Sequence, residues 1–373
     1  MVEAVAGTTA LGVATDVRVP GRAITEGPAV EPVTPLTTDA AELARLVQQG
    51  SRRHLARAIT LVESTRLADR AQARSLLSHL AHDQDPDQTT AVRVGITGVP
   101  GAGKSTFIDA MGRRLIGLGH KVAVLAVDPS SSRTGGSILG DRTRMGDLAA
   151  QADAFIRPSP SGNHLGGVAR ATRETMLLCE AAGYDVVLVE TVGVGQSEVA
   201  VAGMVDTFLL VTLARAGDQL QGIKRGILEM ADIITVNKSD GDNETASRVA
   251  ARDLRSAIKL ITSDPKARRP PILNTSSYTG LGLDDLWQEV LKHRAHLEMS
   301  GGLARRRAEQ QRDWLWALVD DELVESVRQC PAVKNQRVVL EEEVMTGRIS
   351  AVDAAELILG SFARHLPPQW RQE

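Results

Sequence analysis

The stretch GVPGAGKST (residues 98–106) matches the pattern G-x-x-x-x-G-K-[ST] of a phosphate-binding loop. Glycines allow backbone N–H groups to close around phosphate oxygens, and the start of the following helix directs partial positive charge at them. A β-branched run, Val92–Thr97, precedes the loop, and apolar residues at helical spacing follow it, beginning with Ile108 and Met111. We therefore predict a strand, a loop that binds the phosphates of a nucleotide, and a helix.

Two side chains of this loop have individual roles. Lys104 is expected to contact the β- and γ-phosphates, which makes it a catalytic as well as a binding residue. The Ser105 hydroxyl is expected to ligate Mg²⁺. The other residues surround the phosphates mainly through backbone groups, and they are Gly98, Val99, Pro100, Gly101, Ala102, Gly103 and Thr106.

The tetrapeptide NKSD (residues 237–240) indicates which nucleotide is bound. An aspartate carboxylate can accept hydrogen bonds from both N1–H and the exocyclic amine of guanine, whereas adenine has an unprotonated N1 and no amine at C2. A site built on such hydrogen bonds can reject the wrong base by roughly 10⁴-fold. The motif ends an apolar strand about 130 residues after the phosphate loop, and a later strand ends in TSS, where GTPases place a loop that contacts guanine O6. We predict GTP rather than ATP, with Asn237, Lys238 and Asp240 at the base.

Acidic and polar residues lie at or after the ends of two other predicted strands. Asp128 and Glu190 are each placed to support Mg²⁺ directly or through water, and Glu190 is also a candidate catalytic residue. Asp141 ends a segment rich in Gly, Ser and Thr that could order around the γ-phosphate, although a plain surface loop is the alternative. Gly193 is expected to offer its backbone N–H to the γ-phosphate. Gln196 is a candidate for orienting the attacking water, and a structural amide is an equally good interpretation.

Short β-branched runs alternate with helical segments through the middle of the chain. The runs are Val92–Thr97, Val122–Asp128, Val186–Thr191, Thr207–Thr212, Ile233–Asn237 and Ile272–Thr275. Strands that are apolar throughout and separated by helices indicate an α/β fold with a parallel sheet covered on both faces. Ligands of such sheets bind at the carboxyl ends of the strands, which is where the motifs fall.

The chain divides into four predicted parts. Residues 1–38 contain spaced prolines and are predicted to be a disordered tail. Residues 39–90 form an N-terminal helical segment, which begins with a capping box at Asp39 and Glu42. Residues 91–295 form the nucleotide-binding domain, and residues 296–373 form a C-terminal helical region.

Composition argues against two classes of function and predicts a cellular location. The formal net charge of −3 argues against a general nucleic-acid binder, because no surplus of cations is available to neutralise a phosphate backbone. No run of 18 apolar residues is present, so no membrane span is expected. The N-terminus lacks the cationic start of a signal peptide and is interspersed with acidic residues, which predicts a cytoplasmic protein.

Five stretches together resemble a known family. They are GVPGAGKST, VDPSSSRTGGSILGDRTRM, ETVGVGQSE, AGDQLQGIKRGI and NKSD. They are similar to the methylmalonyl-CoA mutase-associated GTPases, a family that includes the bacterial chaperone MeaB, the ArgK-type proteins and the human methylmalonic aciduria type A protein. The resemblance runs from about Arg52 to the C-terminal helices. It implies a P-loop NTPase fold of the SIMIBI class and G3E family, with N-terminal helices packed on the GTPase domain and a C-terminal helical arm that forms a homodimer.

The resemblance also implies a function and several site residues. Members gate the delivery of adenosylcobalamin to methylmalonyl-CoA mutase, eject damaged cofactor and protect the loaded enzyme, so the implied partner is that mutase. Residues 98–106 correspond to the phosphate loop, Asp240 to the guanine-reading residue, and Gln219–Lys224 to the third switch, which signals the nucleotide state to the mutase. The last base-contacting loop corresponds to Ser276, Ser277 and Tyr278, and the magnesium-side acids correspond to Asp128, Asp141 and Glu190.

Three other functions share parts of this pattern. One is a kinase of the arginine/ornithine transport type, which would transfer phosphate to a small molecule or a transport protein. Another is a metallochaperone GTPase for a different metalloenzyme, such as a nickel-insertion protein. The third is a structural dimer that holds its nucleotide as a fixed cofactor. We favour a regulatory GTPase that hydrolyses GTP to GDP and phosphate slowly by itself and faster with its partner.

Overall fold

A parallel β-sheet lies at the centre of the computed structural model, which describes residues 39–64, 66–82, 90–127, 145–159, 165–191, 197–214, 225–261 and 268–366. The described strands are β1 (Val92–Gly98), β2 (Val122–Val127), β3 (Ala154–Ser159), β4 (Val186–Thr191), β5 (Thr207–Leu213), β6 (Ile233–Asn237) and β7 (Ile272–Asn274). These seven strands lie in the order β3-β2-β4-β1-β5-β6-β7, and each described pair of neighbours is parallel. The predicted α/β fold with a mostly parallel sheet is confirmed.

The first strand in the chain is the central strand of the sheet. β1 pairs with β4 on one side and with β5 on the other, so the chain order reverses around it. In open parallel sheets, ligands bind at the carboxyl ends of the strands where the order reverses. The phosphate loop follows β1 directly and therefore lies at this position.

Helices cover the sheet on both faces. Within the described residues they are α1 (Ala40–Gln48), α2 (Arg52–Glu63), α3 (Leu67–His82), α4 (Lys104–Gly117), α5 (Gly146–Ala149), α6 (Leu165–Ala181), α7 (Ser197–Ala202), α8 (Arg225–Met230), α9 (Glu244–Ile261), α10 (Leu283–Met299), α11 (Gly302–Gln329), α12 (Pro331–Met345) and α13 (Ala351–Arg364). None of these described helices is long and apolar enough to cross a membrane.

Two apolar layers result from the alternation of side chains along each strand. Leu125 and Val189 belong to one apolar layer, together with residues of α1, α2, α3, α6 and α7. Val124 and Leu188 belong to the layer on the other face, together with residues of α4 and α10. Successive strand residues point to opposite faces, so a strand covered on both sides must be apolar throughout. The N-terminal helices therefore share a continuous core with the sheet. The expected cap of α1 is present, because Asp39 Oδ2 accepts from the backbone N of Glu42 at 2.9 Å.

One strand was not predicted. The six predicted strands are all present, with ends that differ by a residue or two and with Asp128 outside the described residues. The seventh, β3, contains Arg157 and Pro158, which do not fit the pattern of a strand buried on both faces. Among the described strands, β3 pairs with β2 alone and lies at the edge of the sheet, where a proline is tolerated. The division into four parts remains a prediction, and residues 1–38 lie outside the described residues.

The long helix α11 is attached to the sheet by buried ion pairs. Arg307 donates to both carboxylate oxygens of Asp206, at 2.9 and 2.6 Å, and Asp206 is fully buried before β5. Gln310 Nε2 donates to the carbonyl O of Val205 at 2.8 Å. Removing one partner of such a buried pair lowers the free energy of unfolding by about 3–5 kcal/mol, because the other charge is left uncompensated. These contacts fix α11 against the amino ends of the strands, opposite the phosphate loop.

A buried histidine lies in the same region. His293 on α10 is bonded through Nδ1 to Thr207 Oγ1 at 2.9 Å, and its Nε2 is 3.3 Å from Asp232 Oδ1. Burial lowers the pKa of His293 to about 4, although the Asp232 carboxylate acts in the opposite direction. The imidazole is therefore neutral in the folded protein at physiological pH.

We expect the stability of the fold to decrease between pH 6.5 and pH 4 because of His293. The unfolded histidine takes up a proton near pH 6.5 and the folded one only near pH 4, so the stability is fully present above pH 6.5 and is lost as the pH falls. The free energy of unfolding should be roughly 2 kcal/mol lower at pH 5 than at pH 7.5 from this residue. Urea unfolding at both pH values should show this difference in the wild type. The difference should shrink by that amount in His293→Gln but not in His79→Gln, a control at an exposed position.

Candidate nucleotide-binding site

The backbone of the phosphate loop depends on its glycines. A Cβ atom added to Gly98 would lie 2.0 Å from the carbonyl O of Val211 on β5, so no other residue fits between the two strands. Gly101 and Gly103 have φ angles of +78° and +81°, which glycine adopts without strain. Gly103 caps the start of α4, so the positive end of this helix faces the loop. These features match the predicted strand, loop and helix.

The charged and hydroxyl groups of the loop face the end of β4. Lys104 Nζ donates to the carbonyl O of Gly98 at 3.0 Å, and Ser105 Oγ donates to Glu190 Oε1 at 3.1 Å. Burial lowers the pKa of the Lys104 ammonium, whereas the carboxylates of Glu190 and Glu198 act in the opposite direction. The structure thus brings together three residues that the sequence assigned to phosphate and metal binding, and adds Glu198.

The donor set beside Lys104 fits a magnesium ion. Ser105 and Glu190 place a hydroxyl and a carboxylate oxygen within hydrogen-bond distance of each other, and Mg²⁺ prefers such oxygen ligands. Glu190 is buried at the end of a central strand, so its position is well defined. Two further predicted metal-side acids, Asp128 and Asp141, lie outside the described residues, as do Gly193 and Gln196.

The NKSD loop is tied to the phosphate loop by a side chain. Asn237, the last residue of β6, donates from Nδ2 to the carbonyl O of Ala102 at 2.9 Å. Its Oδ1 accepts from the backbone N and the Oγ of Ser277, at 3.3 and 3.0 Å. One buried amide therefore joins three loops, which are the phosphate loop, the NKSD loop and the loop after β7. Lys238 adopts a φ of +59° and turns the chain toward Asp240.

The carboxylate expected to read guanine is held by a serine of the loop after β7. Ser276 Oγ donates to Asp240 Oδ2, and the same hydroxyl accepts from the backbone N of Thr279 at 3.1 Å. A residue 36 positions away thereby orients the Asp240 side chain before any base is present. Tyr278 lies between Ser276 and Thr279 in sequence and is 93% exposed. Ser276 of this loop thus contacts Asp240, Tyr278 is exposed, and the contact of the loop with the base stays a prediction.

One predicted segment of the site cannot be located, and one residue of the site was not predicted. Residues 219–224, which correspond to the third switch of the family, lie outside the described residues. Glu198 was not singled out, although it ends the quoted stretch ETVGVGQSE. Its position eight residues after Glu190, in a motif at the end of a strand, could have indicated a role in the site. Its burial could not be predicted from the sequence.

Comparisons with known proteins agree with this site. The family model described as methylmalonyl Co-A mutase-associated GTPase MeaB matches residues 55–332. A probable GTPase of Mycobacterium tuberculosis is 57% identical over 317 residues, which cover 85% of this chain and 93% of the relative. The GTPase ArgK of Escherichia coli is 49% identical over 284 residues, which cover 76% of this chain and 85% of the relative.

A mammalian relative and a solved structure extend the comparison. The methylmalonic aciduria type A homolog of Mus musculus, named as mitochondrial, is 44% identical over 85% of this chain and 78% of its own length. A crystal structure of an LAO/AO transport system kinase is 38% identical, with a TM-score of 0.64 over 87% of this chain and 97% of that one. The phosphate loop, the NKSD loop and these matches lead to one conclusion. The chain belongs to the MeaB family and is a GTPase.

Proposed function

We propose that this GTPase is a chaperone of adenosylcobalamin-dependent methylmalonyl-CoA mutase, which gates cofactor loading and protects or reactivates the mutase. The match of residues 55–332 to the mutase-associated family carries this proposal. The arrangement of Asp240 and Ser276 supports guanine as the base that is read, because the carboxylate is already oriented. GTP and GDP would then report the state of the chaperone to the mutase.

The residues of the site have separate tasks in hydrolysis. Lys104 leaves the carbonyl O of Gly98 and contacts the β- and γ-phosphates, while the start of α4 contributes backbone N–H groups. Ser105 and Glu190 would hold Mg²⁺, which neutralises charge on the phosphates when it is bound. Asp240 fixes the base and thereby the position of the γ-phosphate. Gln196 stays a prediction for the water-orienting residue, and we expect slow hydrolysis until the partner completes the site.

The C-terminal helices support a homodimer. α11 has exposed apolar residues on three successive turns, which are Leu315, Trp316, Val319, Leu323 and Val324. Exposed apolar rows of this kind on a helix are typical of a protein interface. A second copy of the chain is the occupant that the family resemblance implies.

Replacing Trp316, which is 61% exposed, should weaken this dimer. Tryptophan is often an energetic centre of an interface, and an Asp in its place would have to be buried unpaired. We expect Trp316→Asp to raise the dimer dissociation constant by roughly 100-fold, as measured by analytical ultracentrifugation. Val249→Asp on α9 is the matched control, since Val249 is also an exposed apolar residue. Equal dissociation constants for wild type and Trp316→Asp would contradict an interface on α11.

The test of the chaperone proposal is the GTPase rate of the chain with and without the mutase. We expect a large rise of the steady-state rate when the adenosylcobalamin-dependent mutase from the same source is added. Lys104→Ala with the mutase serves as the background, because it removes nucleotide binding without changing distant surfaces. Unchanged hydrolysis in the presence of the mutase would leave the GTPase intact and reject this partner.

The kinase alternative rests on the description of one similar solved structure. The solved structure with a TM-score of 0.64 is named as a transport system kinase. Incubation with γ-labelled GTP and candidate amino acids or transport proteins would give a labelled acceptor if this alternative were correct, whereas the chaperone releases only free phosphate. The metallochaperone alternative would show stimulation by another metalloenzyme instead. The cytoplasmic location and the lack of a nucleic-acid partner stay predictions.

A further inference from the structure

Glu198 is a buried acid beside the phosphate loop that has no assigned role. Glu198 lies in the first turn of α7 and is only 2% exposed. The Ser197 hydroxyl donates to its carboxylate over a long distance of 3.5 Å. A buried carboxylate is costly unless nearby positive charge or hydrogen bonds compensate it. Its surroundings therefore indicate what it does.

The packing of α7 places Glu198 near the end of β1. Val201, three residues later on the same face of the helix, lies against Gly95, where an added Cβ would be 2.8 Å from the valine side chain. α7 connects two parallel strands, so it runs antiparallel to β1. Glu198 lies about one helical turn before Val201, which corresponds to one or two residues along a strand. Glu198 is thus near Thr97 and Gly98, at the carboxyl end of β1.

The Lys104 ammonium lies at the same end of β1. Its Nζ is 3.0 Å from the carbonyl O of Gly98, and the carboxylates of Glu190 and Glu198 both attract it. Glu190 is already engaged by the Ser105 hydroxyl at 3.1 Å and belongs to the metal side of the site. Glu198 is therefore a second buried carboxylate whose charge attracts the same lysine, and it has no place among the residues assigned to magnesium.

We propose that Glu198 is a positioning residue, which holds Lys104 in the nucleotide-free arrangement and lowers the affinity of the phosphate loop for nucleotide. Its negative charge competes with the phosphates for Lys104 and repels them across the loop. GDP would then leave without a dedicated exchange protein. The proposal rests on guanine-nucleotide binding at this site and is independent of the identity of the partner.

The charge of Glu198 can be tested by the rate of GDP release. The chain is loaded with a fluorescent mant-GDP and chased with excess unlabelled GDP, with no mutase present. Removal of one nearby charge in a partly buried site should slow release by about tenfold in Glu198→Gln. Glu174→Gln is the matched control, because Glu174 is a buried acid on α6 whose charged neighbours are Arg170, Arg70 and Asp321. It should release GDP at the wild-type rate.

The direction of the change separates positioning from a structural role. A merely structural Glu198 would loosen the site when it is replaced, so GDP would leave faster. Our proposal instead requires slower release and a KM for GTP that falls about tenfold, with a single-turnover hydrolysis rate within about twofold of the wild type. Wild-type or faster release by Glu198→Gln would overturn it.

A second pair of variants keeps the test valid if Glu198→Gln does not fold. Glu198→Asp and Glu198→Asn have the same size and differ only in charge. Slower release by the Asn variant than by the Asp variant supports the proposal, and equal rates overturn it. Failure of mutase stimulation would leave this result unaffected, whereas loss of all mant-GDP binding in the wild type would contradict the GTPase site itself.

Discussion

Asp240→Asn is expected to lower the affinity for GTP by roughly 10³-fold and to make xanthosine triphosphate the preferred nucleotide. The substitution replaces one acceptor oxygen by an NH₂ donor, which faces the amine of guanine. Xanthine has a carbonyl oxygen at C2 and can accept a hydrogen bond from that donor. The change should be specific to the base, since the side chain keeps its shape and Ser276 can still bond to the remaining oxygen.

Equilibrium binding of fluorescent GTP and xanthosine triphosphate measures this exchange of preference. Asp242→Asn is the control, because Asp242 is an exposed acid two positions away in the same loop region. Its nucleotide preference should equal that of the wild type. If Asp240→Asn still preferred GTP as strongly as the wild type, another group would have to read the base.

Lys104→Ala is expected to weaken the binding of both GTP and GDP by at least roughly 100-fold and to abolish measurable hydrolysis. Lys104 is the positive side chain of the phosphate loop, and hydrogen bonds from a charged donor to an anion are about twice as strong as neutral ones. Its loss would also leave Glu198 and Glu190 without the ammonium that both of them attract. The phosphates would then meet two buried negative charges.

Isothermal titration with GDP and a phosphate-release assay with GTP measure these two effects. Lys121→Ala is the matched control, because Lys121 is an exposed lysine at the amino end of β2, whereas the phosphate loop lies at the carboxyl ends of the strands. It should bind and hydrolyse nucleotide as the wild type does. Wild-type affinity in Lys104→Ala would mean that backbone groups and the helix terminus suffice for binding the phosphates.

Most of the fold could be predicted from local patterns. The apolar runs around Val124 and Leu188 are strands covered on both faces, and their alternation with helices indicated a parallel sheet. The edge strand β3 could not be predicted in this way, since Arg157 and Pro158 are tolerated at a strand that has β2 as its one neighbour among the described strands. Edge position is a property of the assembled sheet and leaves no distinct pattern in the six residues of the strand.

The phosphate loop and the guanine-reading motif could be recognised locally, because both depend on backbone freedom and on side-chain chemistry within a few residues. The contacts that hold these groups in place arise from tertiary packing. Ser276 reaches Asp240 across 36 positions, and Arg307 reaches Asp206 across 101. Tertiary packing likewise buries Glu198, whose charge attracts Lys104. Burial and pairing at such separations depend on which elements become neighbours, and local spacing carries no information about that.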